Sequence, residues 1–471
     1  MAHLGNQGIP IAMIMSEDHS GIFDIKSIRQ AFKDINATKM TSRIVSLSKA
    51  VIQKNQEIAF VWLEYGRALM SIGLHDAALT CFHHAASLKP DLVTPQILVG
   101  YCRLEQIGEG GHKDGITNLD VWFVGLNSEL FDELTALGMR LHAAGFKDDA
   151  ANCYRTILTF RPDCLQSHHN LAVILLSAGQ FKQAASHLIK WSEPSAAAFN
   201  ATLWRGEALN GKSLFVIANN GYGDIIQYIR YLPDLSKHCK KLYLLISPEL
   251  HKIIGDMDNV EFVSKAPPDY DFLSTLQTIP HIVGIDFNSS SFQIPYLHAD
   301  PTLINHWENR LPSKGYRIGI AWQGNALPSG RSIPLTSLAP LSRIPGVQLI
   351  SLQMNEGMEQ LDGLPDGMIV STLGPEFNAG PDNFVDTAAV MKNLDLILTI
   401  DTSVAHLAGA LGCPVWVMLK SDPDWRWLRD REDSPWYPTM RLFRQNANGD
   451  WDDVIGRVVD ALNFLRRDAV L

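Results

Sequence analysis

Ile397-Leu398-Thr399-Ile400-Asp401-Thr402-Ser403-Val404-Ala405-His406-Leu407-Ala408-Gly409-Ala410-Leu411-Gly412-Cys413-Pro414-Val415-Trp416-Val417-Met418-Leu419 is the stretch that decides the fold of this chain. An apolar, β-rich run ends in Asp-Thr-Ser. A stretch of small residues with helical character follows, then Gly-Cys-Pro, then a second apolar run. The order predicts strand, tight turn, helix, turn, strand, which is a βαβ unit. In open parallel sheets ligands bind outside the carboxyl ends of the strands, where helix N-termini point. Asp401, Thr402 and Ser403 fall at that place, and backbone N–H groups, hydroxyls and the helix dipole there suit a phosphate. The structural alternative is a plain strand–helix turn with Thr402 or Ser403 as N-cap.

A second motif lies about 180 residues earlier, Leu214-Phe215-Val216-Ile217-Ala218-Asn219-Asn220-Gly221-Tyr222-Gly223-Asp224-Ile225-Ile226-Gln227. An apolar strand runs into a Gly-x-Gly turn, and a helix is expected from near Asp224. Gly221 and Gly223 allow a sharp turn and a close approach of backbone to a ligand. Asp224 in a first helical turn also favours the helix dipole, which is its structural alternative. Two such motifs suit a two-domain α/β enzyme with one motif per sheet.

Both motifs resemble those of the heptosyltransferase-like glycosyltransferases, glycosyltransferase family nine. That family reads Asp-Thr/Ser-Gly-x-x-His, a small-residue helix, then Gly-x-Pro. Asp401, Thr402, His406, Gly412 and Pro414 match, while Ser403 stands where the family usually has glycine. The resemblance implies a GT-B fold, a pair of Rossmann-like α/β domains with the active site in the cleft between them. It implies that Asp224 is the general base that takes the acceptor hydroxyl proton, that His406 faces the donor phosphate, and that transfer inverts the sugar. The residue-level alternative for His406 is a helix-interior histidine bonded to a carbonyl.

The rest of the C-terminal half agrees. Tyr316–Ala321 reads as a strand followed by the polar turn Gln323-Gly324-Asn325, and it resembles the first strand of the family's donor-binding domain. Arg331, just beyond, has the fork geometry to pair with a diphosphate, or is an exposed loop cation. Val347–Leu352 reads as the next strand, with Gln353 as a donor-side candidate at its end. Glu356 suits a ribose hydroxyl or a solvated loop. Asp422–Leu428 and Asp433–Pro438 concentrate aromatics and charges in loop-like sequence. They suit stacking on a base or sugar, or a packed loop that closes the domain. Trp451–Leu465 is amphipathic at helical spacing (Val454, Val458, Val459, Leu462, Leu465), and the resemblance implies a last helix that crosses back to the first sheet.

Before this half lies a helical array. Trp62, Gly66, Leu69, Gly73, Ala78, Phe82 and Pro90 recur as Leu134, Gly138, Leu141, Gly145, Ala150, Tyr154 and Pro162, 72 positions later. A third stretch reads Leu171, Ala172, Leu175, Gly179, Ala184 and Leu188, with 34 positions from Gly145 to Gly179. Period and residue types match the tetratricopeptide pattern. Small residues let paired helices approach, and the Phe82/Tyr154 position is expected to fill the gap between repeats. The 72-residue step predicts a degenerate repeat around Leu92–Phe123, interrupted by a loop at Gly108–Lys113. Thr38–Asn55 is expected to add a helix pair or cap. Such solenoids present a concave groove to a peptide or protein, or serve as scaffold. Ser192–Ala198 is expected to stop the last repeat helix and act as a short linker.

The chain has 471 residues, 50 acidic against 40 basic, for a formal charge of −10. No basic face for nucleic acid is indicated. Six scattered cysteines without Cys-x-x-Cys pairs argue against structural zinc and a disulfide framework. Neither a signal peptide nor a transmembrane run is read, so the expected setting is cytoplasmic, with peripheral contact at the inner membrane as the alternative. His83-His84 and His168-His169 are adjacent on helices and do not share a face for a metal. Asp422-Pro423-Asp424 has the spacing of a metal-binding pair but lies late and in a loop, so no metal and no cofactor are expected. Helix N-termini and Arg331 would stabilise a leaving diphosphate.

The fold class expected is α plus α/β, a tetratricopeptide solenoid followed by a GT-B pair. The boundaries are 1–37 (N-terminal segment), 38–192 (repeats), 199–310 (acceptor-side domain), 311–450 (donor-binding domain) and 451–471 (C-terminal helix). The whole is similar to bacterial tetratricopeptide proteins with a heptosyltransferase-like half, and to protein O-glycosyltransferases that carry such repeats. The resemblance implies a nucleotide-sugar donor and a protein acceptor recruited by the repeats. Alternatives are a glycolipid or polysaccharide transferase and a non-catalytic interaction protein with a degenerate transferase fold.

Overall fold

The computed structural model describes residues 52, 57–90, 92–107, 128–287, 293–325, 330–429, 431–446 and 449–468. The chain divides into two compact units, with the division between Leu171 and Ala172. The first unit is helical. Its elements are α1 (Ala59–Ser71), α2 (His75–Leu88), α3 (Thr94–Gln106), α4 (Ser128–Ala143) and α5 (Lys147–Phe160), and α6 (Leu165–Ser177) spans the division. The second unit opens with α7 (Phe181–Ala198).

The expected helix pairs form at α1/α2, α4/α5 and α6/α7. Each pair turns on a glycine in the left-handed region: Gly73 at φ +80°, Gly145 at +86° and Gly179 at +72°. The two bonds of a Schellman motif recur at all three. Gly73 and Leu74 donate to Met70 and Leu69, Gly145 and Phe146 to His142 and Leu141, and Gly179 and Gln180 to Leu176 and Leu175. The small residues act as expected, but the aromatics fill the space inside their own repeat rather than between repeats. A Cβ on Gly66 would lie 2.4 Å from the Phe82 ring, and one on Gly138 2.9 Å from the Tyr154 ring. Between α3 and α4, a Cβ on Gly100 would meet Leu137 at 2.6 Å. His84 packs edge-on to Trp62, and His168 bonds the Pro162 carbonyl. Within Leu92–Phe123 the first helix of the degenerate repeat is present as α3. The Gly108–Lys113 loop, residues 1–37 and all of Thr38–Asn55 except residue 52 lie outside the described residues.

The second unit holds two parallel sheets. Strands β1 (Ser213–Ile217), β2 (Lys241–Leu245), β3 (Val260–Val263) and β4 (Phe272–Thr275) form one, in the order β3-β2-β1-β4. Strands β5 (Tyr316–Ala321), β6 (Val347–Ser351), β7 (Val370–Ser371), β8 (Leu396–Ile400), β9 (Val415–Leu419) and β10 (Met440–Arg444) form the other, in the order β10-β9-β8-β5-β6-β7. Strands β1, β8 and β9 are buried along their whole length, as parallel strands covered on both faces require. Helices α8 (Tyr222–Tyr228), α9 (Pro301–Glu308), α10 (Val385–Met391), α11 (Ser403–Ala410) and α12 (Trp451–Asp468) accompany them. The order reverses between β1 and β4 in the first sheet and between β5 and β8 in the second. A crevice opens at each such switch point, at the carboxyl ends of the strands.

Two expectations are corrected. Residues Ser192–Ala198 are not a linker: α7 runs through them with Pro194 inside it. Ser192 bonds Thr278 at 2.7 Å and Thr275 at 3.2 Å, and Ala196 packs with Phe215, Ile217 and Leu273. This burial on the first sheet offsets the proline, which costs about 3 kcal/mol in a helix interior. Helix α12 does not cross back. Its stripe of Val454, Ile455, Val458 and Leu462 is buried with Ile318, Leu335, Leu338 and Phe443 in the core of the six-stranded sheet. Each such side chain contributes roughly 1.5–3 kcal/mol, and this apolar face lies a short connection from β10.

Gly66→Ala is expected to destabilise the repeats by about 1–3 kcal/mol, because the methyl group meets the buried Phe82 ring. Chemical denaturation followed by circular dichroism measures this, and Gly66→Ala/Phe82→Leu should recover part of the loss. An unchanged midpoint in the single variant would show that the ring has room to move.

Candidate active site

The site grows from two helix starts. β1 ends at Ile217, and the turn through Gly221 leads into α8, with Asp224 in its first turn. β8 ends at Ile400, and Asp401-Thr402 leads into α11. The two helices pack on each other. Gly223 makes this approach possible, since a Cβ there would lie 2.9 Å from His406 Cδ2 and 3.6 Å from the Ser403 Cα. Thr402 occupies the N-cap of α11 in extended conformation, yet its side chain does not cap the helix; its hydroxyl lies 3.4 Å from that of Thr399. The plain N-cap reading therefore fails for Thr402.

A cleft of about 770 Å³ opens at these helix starts. Gly221, Gly223, Asp224, Arg331, Gln353, Asp401, Thr402, Ser403 and His406 line it. Their states differ. Arg331 donates to the Asp401 carbonyl at 3.1 Å and to the Asn325 carbonyl at 3.3 Å, and it packs on Gly324, where a Cβ would lie 2.9 Å from its Nε. Gln353 is 7% exposed and its amide is spent on backbone. It accepts from the N–H groups of Trp322 and Gln323 and donates to the carbonyls of Gln323 and Glu356. It thus ties the loops after β5 and β6 together rather than presenting itself to a ligand. Glu356 is exposed and does not line the cleft.

His406 is buried, shares a 3.0 Å hydrogen bond between its Nδ1 and the Tyr437 hydroxyl, and stacks on Trp427. Its partner is thus a side chain, not a backbone carbonyl. Burial first, then the guanidiniums of Arg426 and Arg230, push its pKa well below the usual imidazole value. It is a neutral floor to the cleft. Small residues again permit the packing, for a Cβ on Gly409 would meet the Tyr437 ring at 2.5 Å.

The two aromatic loops pack inward. Trp425, Trp427, Trp436 and Tyr437 are buried and do not line the cleft, so they close the domain rather than stack on a ligand. Their charged neighbours do face it. Arg426 and Asp424 line the cleft, and sequence reading missed them as site residues. The available signal was the alternation of charge and aromatic in Asp424-Trp425-Arg426-Trp427, a pattern that buries guanidinium and carboxylate together. Arg426 bonds Asp224 at 2.5 Å, Asp424 at 2.6 Å and the Tyr228 hydroxyl at 3.2 Å. The pKa of Asp224 lies above the usual carboxylate value: burial raises it most, Arg426 pulls it down and Asp424 raises it further. Asp401 is pushed up to about 6, first by burial and then by Asp424, against the pull of Arg426 and Arg331.

Tyr222, Asn383 and Phe384 were also missed. Tyr222 donates to Glu249 at 2.8 Å and accepts from Asn383 at 3.2 Å, and its ring meets Phe384 edge-on. Phe384 sits at φ +66°, a strained conformation for an aromatic residue. Strain of this kind gathers at ligand sites.

No family model matches the chain. The structural neighbours include family-nine glycosyltransferases and tetratricopeptide proteins, the two kinds of protein that the sequence resembles. The glycosyl transferase family 9 protein of Veillonella parvula is 12% identical, with 51% of this chain and 88% of that chain covered and a TM-score of 0.37. YrrB, a tetratricopeptide protein with an unusual peptide-binding site, is 14% identical, with 36% and 86% covered and a TM-score of 0.21. In sequence the chain is similar to Protein FlbA of Caulobacter vibrioides, 23% identical over 458 residues, or 89% of this chain and 70% of that protein.

The raised pKa of Asp401 carries a stability prediction. Below about pH 4, folded and unfolded chains both hold its proton. Between there and about 6 the folded chain keeps a proton that the unfolded chain releases, so stability falls as pH rises through this window. Asp401→Asn removes that loss. It should stabilise the protein at pH 7.5 by on the order of 1 kcal/mol relative to pH 4, as read by thermal melts of both proteins at the two pH values. An equal effect at both would mean that Asp401 titrates normally.

Proposed function

We propose that this chain is a glycosyltransferase that moves a sugar from a nucleotide-activated donor, with its two parallel sheets in a GT-B arrangement. One observation carries the reading: a single cleft joins the Gly221–Asp224 turn of one sheet to the Asp401–Ser403 turn of the other, each at a topological switch point.

Each side of the cleft then has a task. The uncapped start of α11 offers the backbone N–H groups of Ser403 and Val404 to a donor phosphate, and the helix dipole favours its charge. The hydroxyls of Thr402 and Ser403 add donors. Arg331 supplies a cation that stabilises the diphosphate as the sugar leaves, which lowers the barrier without a metal or a further cofactor. Neutral His406 floors the site without adding charge. Asp224, from the other sheet, takes the proton of the attacking acceptor hydroxyl. The proposed acceptor is a protein held by the repeats, whose turns and paired helices form a tetratricopeptide-like array of the kind that presents a concave groove.

Calorimetry against a panel of nucleoside diphosphates and nucleotide sugars tests the donor site. One nucleotide is expected to bind, and Arg331→Ala/Thr402→Ala should weaken it about 10–100-fold through lost charge-assisted hydrogen bonds. Asp224→Asn is expected to keep donor affinity but lose at least about 100-fold in transfer, the share of a positioned base. A folded wild-type protein that binds nothing on the panel would overturn the transferase reading in favour of a non-catalytic interaction protein.

A further inference from the structure

Asp224 does not stand alone in the cleft. Its Oδ1 accepts from Arg426, a residue of the loop after β9 that belongs to the other sheet. The Arg426 side chain is 10% exposed, against 28% for Asp224 and 32% for Asp424. The guanidinium therefore lies beneath two carboxylates that each keep an edge toward the cleft. Its own place is set from three sides: Asp424 accepts from both its backbone N–H and its Nη1, Trp436 Nε1 donates to its carbonyl, and its cation lies 4.9 Å from the centre of the Trp425 ring. A buried planar fork held in this way fixes the direction of a carboxylate better than a mobile ammonium would.

We propose that Arg426 is the positioning residue of this site, keeping Asp224 ionised and aimed into the cleft from the opposite sheet. The proposal rests on the transferase reading for what Asp224 does, but not for how Asp224 titrates. A carboxylate in this pocket faces two opposing fields. Burial and the Asp424 charge favour the protonated form, in which it cannot accept a proton. Arg426 favours the ionised form. The other charged and titratable groups nearby are Tyr228 on α8, His281 beside Arg426, and Asp401, Arg331 and His406 on the same cleft. Because Asp224 and Arg426 come from different sheets, the base is set only while the two sheets hold this cleft together.

The test uses the full-length protein with carbon-13-labelled aspartate carboxyls, the Asp224 signal being assigned by its loss in Asp224→Asn. Arg426→Gln should move the titration of Asp224 upward by about one pH unit or more, the usual effect of an opposite charge at contact. Asp424→Asn should move it downward. Arg426→Lys, which keeps the charge, should stay close to wild type. In a protein that turns over a nucleotide sugar, the acid limb of the kcat/KM profile should move in the same two opposite directions, which a merely structural role would not produce. Unmoved Asp224 titration in folded Arg426→Gln, or no downward shift in Asp424→Asn, overturns the proposal. If Arg426→Gln does not fold, the Asp424→Asn titration decides. Shifts as expected in a protein without turnover would support the ion pair and count against the transferase reading alone.

Discussion

The close approach of two short helices, Tyr222–Tyr228 and Ser403–Ala410, is the constraint on which the cleft depends. Each follows a buried parallel strand, and each begins where its sheet reverses strand order. They touch because Gly223 carries no side chain against His406, and because Gly409 leaves room for the Tyr437 ring that bonds that histidine. A methyl group at Gly223 would press on His406 and the Ser403 backbone and push the helix starts apart, and one at Gly409 would displace the Tyr437 ring from His406. The anion-receptive end of one helix and the carboxylate of the other would then no longer share a cleft.

Charge is the second constraint. Asp224, Asp401 and Asp424 stand around the guanidiniums of Arg426 and Arg331. A buried carboxylate without a cation is costly and takes up a proton instead. The three acids meet these cations differently. Asp224 touches Arg426 directly. Asp424 shares that same guanidinium. Asp401 offers Arg331 its backbone carbonyl, and burial together with the Asp424 charge pushes its carboxyl up to about 6. Buried acids with raised pKa values beside cations in a cleft are a mark of functional sites.

The helical part obeys a simpler rule. Glycine ends three helices in the left-handed region, and glycine faces an aromatic in two helix pairs. In the third copy Ala172 and Leu188 replace the glycine and the aromatic, and both are buried.

Much of this was legible in the chain. Strands β1, β5, β6, β8 and β9, both helix-start motifs and the three repeat turns follow from short-range rules: apolar runs, glycine at a positive φ, and small residues at helical spacing. What was not legible depended on partners far away in sequence. The Asp424–Arg426 loop read as a surface of aromatics and charge because nothing local says that Asp224, some 200 positions earlier, lies against it. Pro194 read as a helix stop because its neighbours do not reveal the sheet that holds the helix on. The stripe of Val454, Val458 and Leu462 announced a buried face without saying which sheet buries it. The sequence alone determined the strand–turn–helix motifs of Leu214–Gln227 and Ile397–Leu419 and the glycine turns of the repeats, since those are settled by each residue's own backbone and its near neighbours. Only the tertiary structure decided which charges meet, because burial and Coulomb attraction act between residues that the fold, not the chain order, brings together.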